Sequence, residues 1–204
     1  MEPPAMNKKY AIALAGLETI KRDDGSIKHF SQTFLNNVLT FKKDNHDKDV
    51  EIIDARDFWE FPKPMSALWE RLRVLSEDRP IDLLMISSHS GPEQLYIFSK
   101  VRKDVPEEER YFCMTDEWED VEFSKGAKIE LQGCQTAGMH GEKFVASIAQ
   151  SIADATRVST YGHLWKTSQK KIGEKYYQIP EHGKLVKCDP KSLASEGLEP
   201  EKSN

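Results

Sequence analysis

The sequence is poor in cysteine, in excess positive charge and in long hydrophobic runs. Its three cysteines, Cys113, Cys134 and Cys188, are odd in number and widely spaced. This pattern argues against a disulfide framework and a CxxC zinc site, and it fits a reducing, cytoplasmic setting. The net charge of −5, with lysines and arginines scattered, gives no indication of nucleic acid or an anionic membrane as a partner. No apolar run is long enough for a transmembrane helix.

The 204 residues are enough for one domain with a proper core. We expect this domain to span residues 8–190, with flexible termini at 1–7 and 191–204. Lys8 and Lys9 precede the apolar Tyr10–Leu17 and superficially resemble a secretion signal. The run is short and no small-residue cleavage site follows, so it is interpreted as the first core strand.

Strand and helix patterns alternate along the chain, which predicts an α/β fold. Strands are predicted at Tyr10–Leu17, Val50–Ala55, Ile81–Ser87, Ala127–Gln132 and Arg157–Tyr161, and helices at Ile27–Phe41, Met65–Asp78 and Gly141–Ala155. A long insert carries two strand candidates, Gln94–Ser99 and Arg110–Met114, and the tail carries an extended pair, Tyr176–Ile179 with Lys184–Cys188. This order predicts a three-layer sandwich with a mostly parallel central sheet covered on both faces.

Two of the predicted strands end in residues that can do chemistry. Ile81–Ser87 runs into Ser88-His89-Ser90-Gly91, and Ala127–Gln132 runs into Gly133-Cys134. In parallel sheets, ligands and reactive groups collect beyond the carboxyl ends of the strands. If the two strands are neighbours, His89 and Cys134 face the same crevice.

A thiol and an imidazole at one crevice suggest nucleophilic catalysis. A cysteine attacks as its thiolate, and a neutral histidine can take the proton. Gly91 and Gly133 permit tight turns and close approach of a substrate backbone. The peptide N–H groups of Ser90, Gly91 and Cys134 are candidates for an oxyanion hole.

These two blocks resemble those of the caspase-like cysteine peptidases. Leu83–Gly91 is an apolar run ending in Ser-His with a glycine close behind, and Ile129–Gly138 contains Gln-Gly-Cys. The histidine and cysteine are 45 residues apart, against about 50 in caspases. Cys-Gln-Thr-Ala-Gly is closest to the bacterial CHAT peptidases, which carry a similar cysteine block. The likeness covers residues 8–165.

The resemblance implies a caspase-like fold and a thiol protease, a hydrolase of peptide bonds. It makes Cys134 the nucleophile, His89 the base and acid, and Gln132 a wall of the substrate pocket. It implies a protein or peptide substrate and no metal or organic cofactor, and it leaves a regulatory sensor protein open as a partner. Most of the clan has glycine directly after the histidine, whereas this chain has Ser90 there.

An acidic stretch before the cysteine strand bears on specificity. It includes Asp116 and Glu117. If these carboxylates border the cleft, they favour a basic residue at the cleaved position of the substrate.

Several other interpretations stay open. Cys134 can be a buried core residue, and His140 or His163 can approach it instead of His89. A metal site of Cys134, His140 and His163 lacks a closely spaced ligand pair. The chain can also be an inactive caspase-like interaction or signalling module, as Ser90 suggests. A flavodoxin-like domain binding a small anionic ligand is a further alternative, although no Gly-rich phosphate loop is present.

Overall fold

The computed structural model describes residues 8–17, 19–21, 27–29, 31–98, 106, 118–140, 143–144, 147–164, 166–180 and 185–191. The elements of the first part of the chain are β1 Tyr10–Ala15, β2 Thr19–Lys21, β3 Ile27–His29, α1 Ser31–Asp44, β4 Asp49–Asp54, α2 Pro64–Asp78 and β5 Ile81–Ser87. They are followed by β6 His89–Ser90, β7 Leu95–Tyr96, β8 Phe123–Gln132, β9 Met139–His140 and β10 Lys143–Phe144. The last elements are α3 Ile148–Thr156, β11 Ser159–Gly162, β12 Thr167–Ile172, β13 Lys175–Pro180 and β14 Val186–Cys188.

A mostly parallel sheet of six strands forms the centre of the fold. Its strand order is β14-β11-β8-β5-β1-β4. The pairs β1–β4, β1–β5, β5–β8 and β8–β11 are all parallel, and β14 adds an antiparallel edge to β11. The predicted α/β class and mostly parallel sheet are therefore confirmed.

Helix α1 covers one face of the sheet. Its Phe34 and Val38 form a buried cluster with Ala11, Ala13 and Ala15, the alternate residues of β1. Because alternate side chains of a strand point to the same face, three alanines make a shallow surface that admits a helix closely.

The opposite face carries the larger core and is covered by α2 and α3. The sheet contributes Ile12, Leu14, Leu84, Ile86, Ile129 and Leu131, and the helices contribute Leu68, Leu72, Ile148 and Ile152. Pro64 opens α2 where its missing N–H costs nothing. The hydroxyl of Ser147 accepts from the Gln150 N–H at 2.9 Å and begins α3. Helices on both faces explain why β1 is buried along its whole length.

The first helix begins later than the sequence predicts. Ile27 and the residues after it have helical spacing, yet the backbone of Ile27–His29 pairs antiparallel with Thr19–Lys21. The hairpin satisfies the backbone hydrogen bonds of this segment, and α1 starts only at Ser31.

The predicted helix Gly141–Ala155 is also too long at its start. Met139–His140 and Lys143–Phe144 form a short antiparallel pair, and the helix begins at Ile148 after the Ser147 cap. Amphipathic spacing alone could not place this boundary, because strand pairing and a capping side chain decided it.

The predicted tail pair is wrong in its partners. Lys175–Pro180 pairs with Thr167–Ile172, and Val186–Cys188 pairs with Ser159–Gly162 and forms the edge of the central sheet. In the predicted insert, Leu95–Tyr96 pairs with His89–Ser90, whereas residues 110–114 lie outside the described residues.

Hydrogen bonds hold the loop that follows β8 against His163, the residue directly after β11. The Thr136 hydroxyl accepts from the His163 N–H at 2.8 Å, and the Ala137 N–H donates to the His163 carbonyl at 3.0 Å. Gly162 leaves room for this contact. A Cβ at that position would lie 2.7 Å from Thr136 Oγ1 and 3.0 Å from the Ala137 nitrogen.

We therefore expect Gly162→Ala to lower the free energy of unfolding by about 1–3 kcal/mol, the usual cost of overpacking. Urea denaturation monitored by circular dichroism measures the change. Gly91→Ala is the matched control, because the nearest atom to its Cβ would be 4.0 Å away. Equal stability of the two variants would show that the loop after β8 moves away from the added methyl group without lowering the free energy of unfolding.

Candidate active site

The histidine and cysteine tips leave the sheet side by side. Strands β5 and β8 are adjacent and parallel, and Ser87 lies opposite Gln132 in their register. His89 and Cys134 each follow two residues later, so both belong to the same edge of the sheet. The two predicted strands that lead to His89 and Cys134 are therefore neighbours in the sheet.

A hydrogen bond joins the two tips directly. The Ser90 hydroxyl donates to the Cys134 carbonyl at 2.7 Å. Gly133 makes the approach feasible, because a Cβ there would lie 2.9 Å from the Ser88 carbonyl oxygen and against the Ser90 hydroxyl. Ser90 therefore acts as a tether between the ends of the two strands.

The Cys134 sulfur is partly buried and contacts the start of β12. The Thr167 N–H donates to Sγ at 3.3 Å, and Thr167 Oγ1 lies 3.1 Å from Sγ. Sequence reasoning missed Thr167. It lies in a segment with no motif and is 33 residues from the cysteine.

His89 is partly buried at the same rim. Its ring meets the ring of Phe34 edge to face, with centroids 5.1 Å apart. Helix α1 thus provides an apolar support for the imidazole. The neighbouring Gly91 N–H donates to the Gln94 carbonyl at 2.9 Å and is engaged within the β6–β7 turn. The N–H groups of Ser90 and Cys134 remain the candidates for an oxyanion hole.

Gln132 contacts a second histidine, His163. Its Oε1 lies 3.3 Å from Nε2 of His163. Because a side-chain carbonyl oxygen only accepts, this contact requires the proton on Nε2. Nδ1 is then an acceptor, and it is buried with no hydrogen-bond partner among the described residues.

His163 is consequently a buried, neutral histidine. Only 3% of it is exposed, and burial lowers its pKa below the ordinary value of a histidine. The sequence analysis left His163 open as an alternative partner of Cys134. In the structure its described hydrogen-bond partners are Gln132 and the loop after β8.

The remaining predicted residues divide into three groups. Asp116 and Glu117 lie outside the described residues, as does Cys113. His140 lies in β9. Cys188, in β14, is a free and partly buried thiol whose pKa is raised by burial.

No protein-family model and no curated protein matches this chain. Among the described residues, no three or more His, Cys, Asp or Glu side chains are grouped so that they could hold a metal ion. Within the same ranges, no helix is long and apolar enough to cross a membrane.

The buried histidine makes stability sensitive to acid. Below a pH of about 6.5 the unfolded chain binds a proton at residue 163 that the folded chain does not yet accept. We expect the free energy of unfolding to fall as the pH drops from 7.5 to 5.5, with a smaller fall in His163→Gln. Urea titrations at several pH values measure this slope.

His46→Gln, in the exposed turn after α1, controls for the loss of an imidazole. Identical slopes for the wild-type protein and His163→Gln would contradict the assignment of His163 as a buried neutral group.

Proposed function

We propose that this protein is a cysteine endopeptidase that acts through Cys134 and His89. The proposal is carried by one observation. The two strand tips that hold these residues are parallel neighbours, and the Ser90–Cys134 hydrogen bond ties them together. A thiol nucleophile and an imidazole base, held at one rim of a parallel sheet, are the two side chains that acyl transfer requires.

The chemistry proceeds by covalent catalysis. His89 takes the thiol proton, and the sulfur attacks the carbonyl carbon of the substrate peptide. The backbone N–H groups of Ser90 and Cys134 are the candidate donors to the tetrahedral oxyanion. His89 then protonates the departing amine, and water, activated by the same imidazole, releases the acyl group.

The layered architecture supports the same proposal. Helices lie on both faces of a mostly parallel sheet, an arrangement compatible with the three-layer sandwich of caspase-like peptidases. We propose that the chain has this fold and acts in the cytoplasm on proteins or peptides. The sequence-based prediction of a basic residue before the cleaved bond depends on Asp116 and Glu117, which lie outside the described residues. It competes with the apolar preference inferred below.

A second candidate is an inactive interaction module with the same architecture. It is favoured by the contacts of Thr167, which lies against the Cys134 sulfur through both its N–H and its hydroxyl. In such a module the thiol would be a structural group.

Covalent labelling separates the two candidates. We expect a peptide acyloxymethyl ketone to capture Cys134 in the wild-type protein and not in Cys134→Ala, with Cys188→Ala labelled like the wild type. His89→Ala should lower the rate of peptide cleavage by about 10²–10⁴-fold, the usual contribution of a general base. Mass spectrometry locates the label, and a fluorogenic peptide reports the rate.

An unlabelled Cys134 in a protein with an intact circular dichroism spectrum would support the interaction module. Labelling that persists at full rate in His89→Ala would remove His89 from the proposed dyad.

A further inference from the structure

A groove of about 560 Å³ runs along the face of the sheet that packs against α1. Its floor is formed by Met85 and Gln132, one wall by α1 and the other by the β12–β13 hairpin. We name it the α1–hairpin groove.

All three sides of the groove begin at the rim that holds the nucleophile. On the floor, Gln132 is two residues before Cys134. On α1, the amide of Asn37 donates to the Ser87 hydroxyl at 3.2 Å, and Ser87 lies opposite Gln132. On the hairpin, Ile179 pairs with Ser168, which directly follows the Thr167 that contacts the sulfur.

From this rim the groove extends towards the opposite edge of the sheet. Its α1 wall runs from Asn37 to Asp44, and seven helical residues span about 10 Å. On the hairpin, Tyr177 lies opposite Lys170 and Ile172 lies next to the turn. The groove is therefore long enough to take one extended side chain that enters from the rim at Gln132.

The interior of the groove is mainly apolar. Half of its ten lining residues are aliphatic or aromatic: Phe41, Met85, Ile172, Tyr177 and Ile179. Ile172, at the far end, is 54% exposed. Burial of apolar surface of this kind would favour an apolar ligand by about 25 cal/mol per Å².

The two charged residues that line the groove are opposite in sign. Lys43 and Asp44, at its far end, are adjacent, exposed and opposite in charge. Glu130 lies beside Met85 in the register of the sheet, but it does not line the groove. Burial raises the pKa of Glu130, while Lys128 and Lys48 oppose that shift.

We infer that the α1–hairpin groove binds the apolar side chain of the substrate residue whose carbonyl Cys134 attacks. That residue must place its Cα within a few bonds of the sulfur, so its side chain reaches the mouth of the groove at Gln132. Phenylalanine, leucine and methionine fit both the length and the chemistry. This inference rests on the proposed peptidase function and names its specificity.

Peptides that differ only in this residue test the inference. We expect kcat/KM for phenylalanine and leucine substrates to exceed that for arginine and aspartate substrates by at least about tenfold, the usual yield of a fitted apolar pocket. Equal or higher values for arginine or aspartate, in a protein that cleaves through Cys134, would overturn the inference and leave the peptidase function intact.

A matched pair of variants links the preference to the groove. Ile172→Glu places a carboxylate at the far end of the groove. It should reduce the ratio of kcat/KM for phenylalanine over arginine by about tenfold. Leu39→Glu adds the same charge at an exposed residue of α1, 46% accessible and outside the groove lining, and should leave the ratio unchanged. Equal effects of both variants would contradict the assignment.

A binding measurement keeps the inference testable if no peptide is cleaved. Cys134→Ala protein with ¹³C-labelled methionine and isoleucine methyl groups is titrated with capped tetrapeptides ending in phenylalanine or arginine. We expect the phenylalanine peptide to shift the Met85 and Ile179 signals. Absence of these shifts overturns the inference. A shift without cleavage of any peptide by the wild-type protein would reject the peptidase function and the substrate role of the groove, and would leave only an apolar peptide-binding groove.

Discussion

The parallel pairing of β5 with β8 is the constraint on which the candidate site depends. Parallel strands end at the same edge of a sheet, so the register that sets Ser87 opposite Gln132 also brings His89 and Cys134 to one rim. A slip of one residue would turn every side chain of β8 to the other face. Ser90 and Gly133 then hold the two tips together beyond the last ladder hydrogen bond.

Burial on both faces keeps that register unique. The same strand, β1, presents small alanines to α1 and the larger Ile12 and Leu14 to the opposite core. Each face therefore accepts only one alternation of side chains. This packing makes the sheet a rigid scaffold for the loops at its rim. Catalytic residues usually lie on loops that a rigid scaffold positions.

The segment after β11 adds an antiparallel hairpin and an antiparallel edge strand to the structure. The β12–β13 hairpin lies along α1, contacts the Cys134 sulfur through Thr167 and walls one side of the α1–hairpin groove. The pairing of β14 with β11 adds an antiparallel edge strand to the sheet. One hairpin therefore connects the environment of the nucleophile with the specificity that we infer for the substrate.

Local patterns in the sequence determined the strand Ile81–Ser87, the part of β8 from Ala127 to Gln132, the helix α2 and the strand ends that carry His89 and Cys134. They did not predict that β8 begins at Phe123. These features are readable because side-chain alternation, helical spacing and a following proline or glycine act within a few residues of one another. Only the tertiary structure decided the late start of α1 and α3, the partners of β12, β13 and β14, and the contacts of Thr167 and His163. Those features depend on backbone hydrogen bonds and packing between segments far apart in the chain, such as Cys134 and Thr167. Periodicity in the sequence reports only on nearby residues, so it cannot predict such contacts.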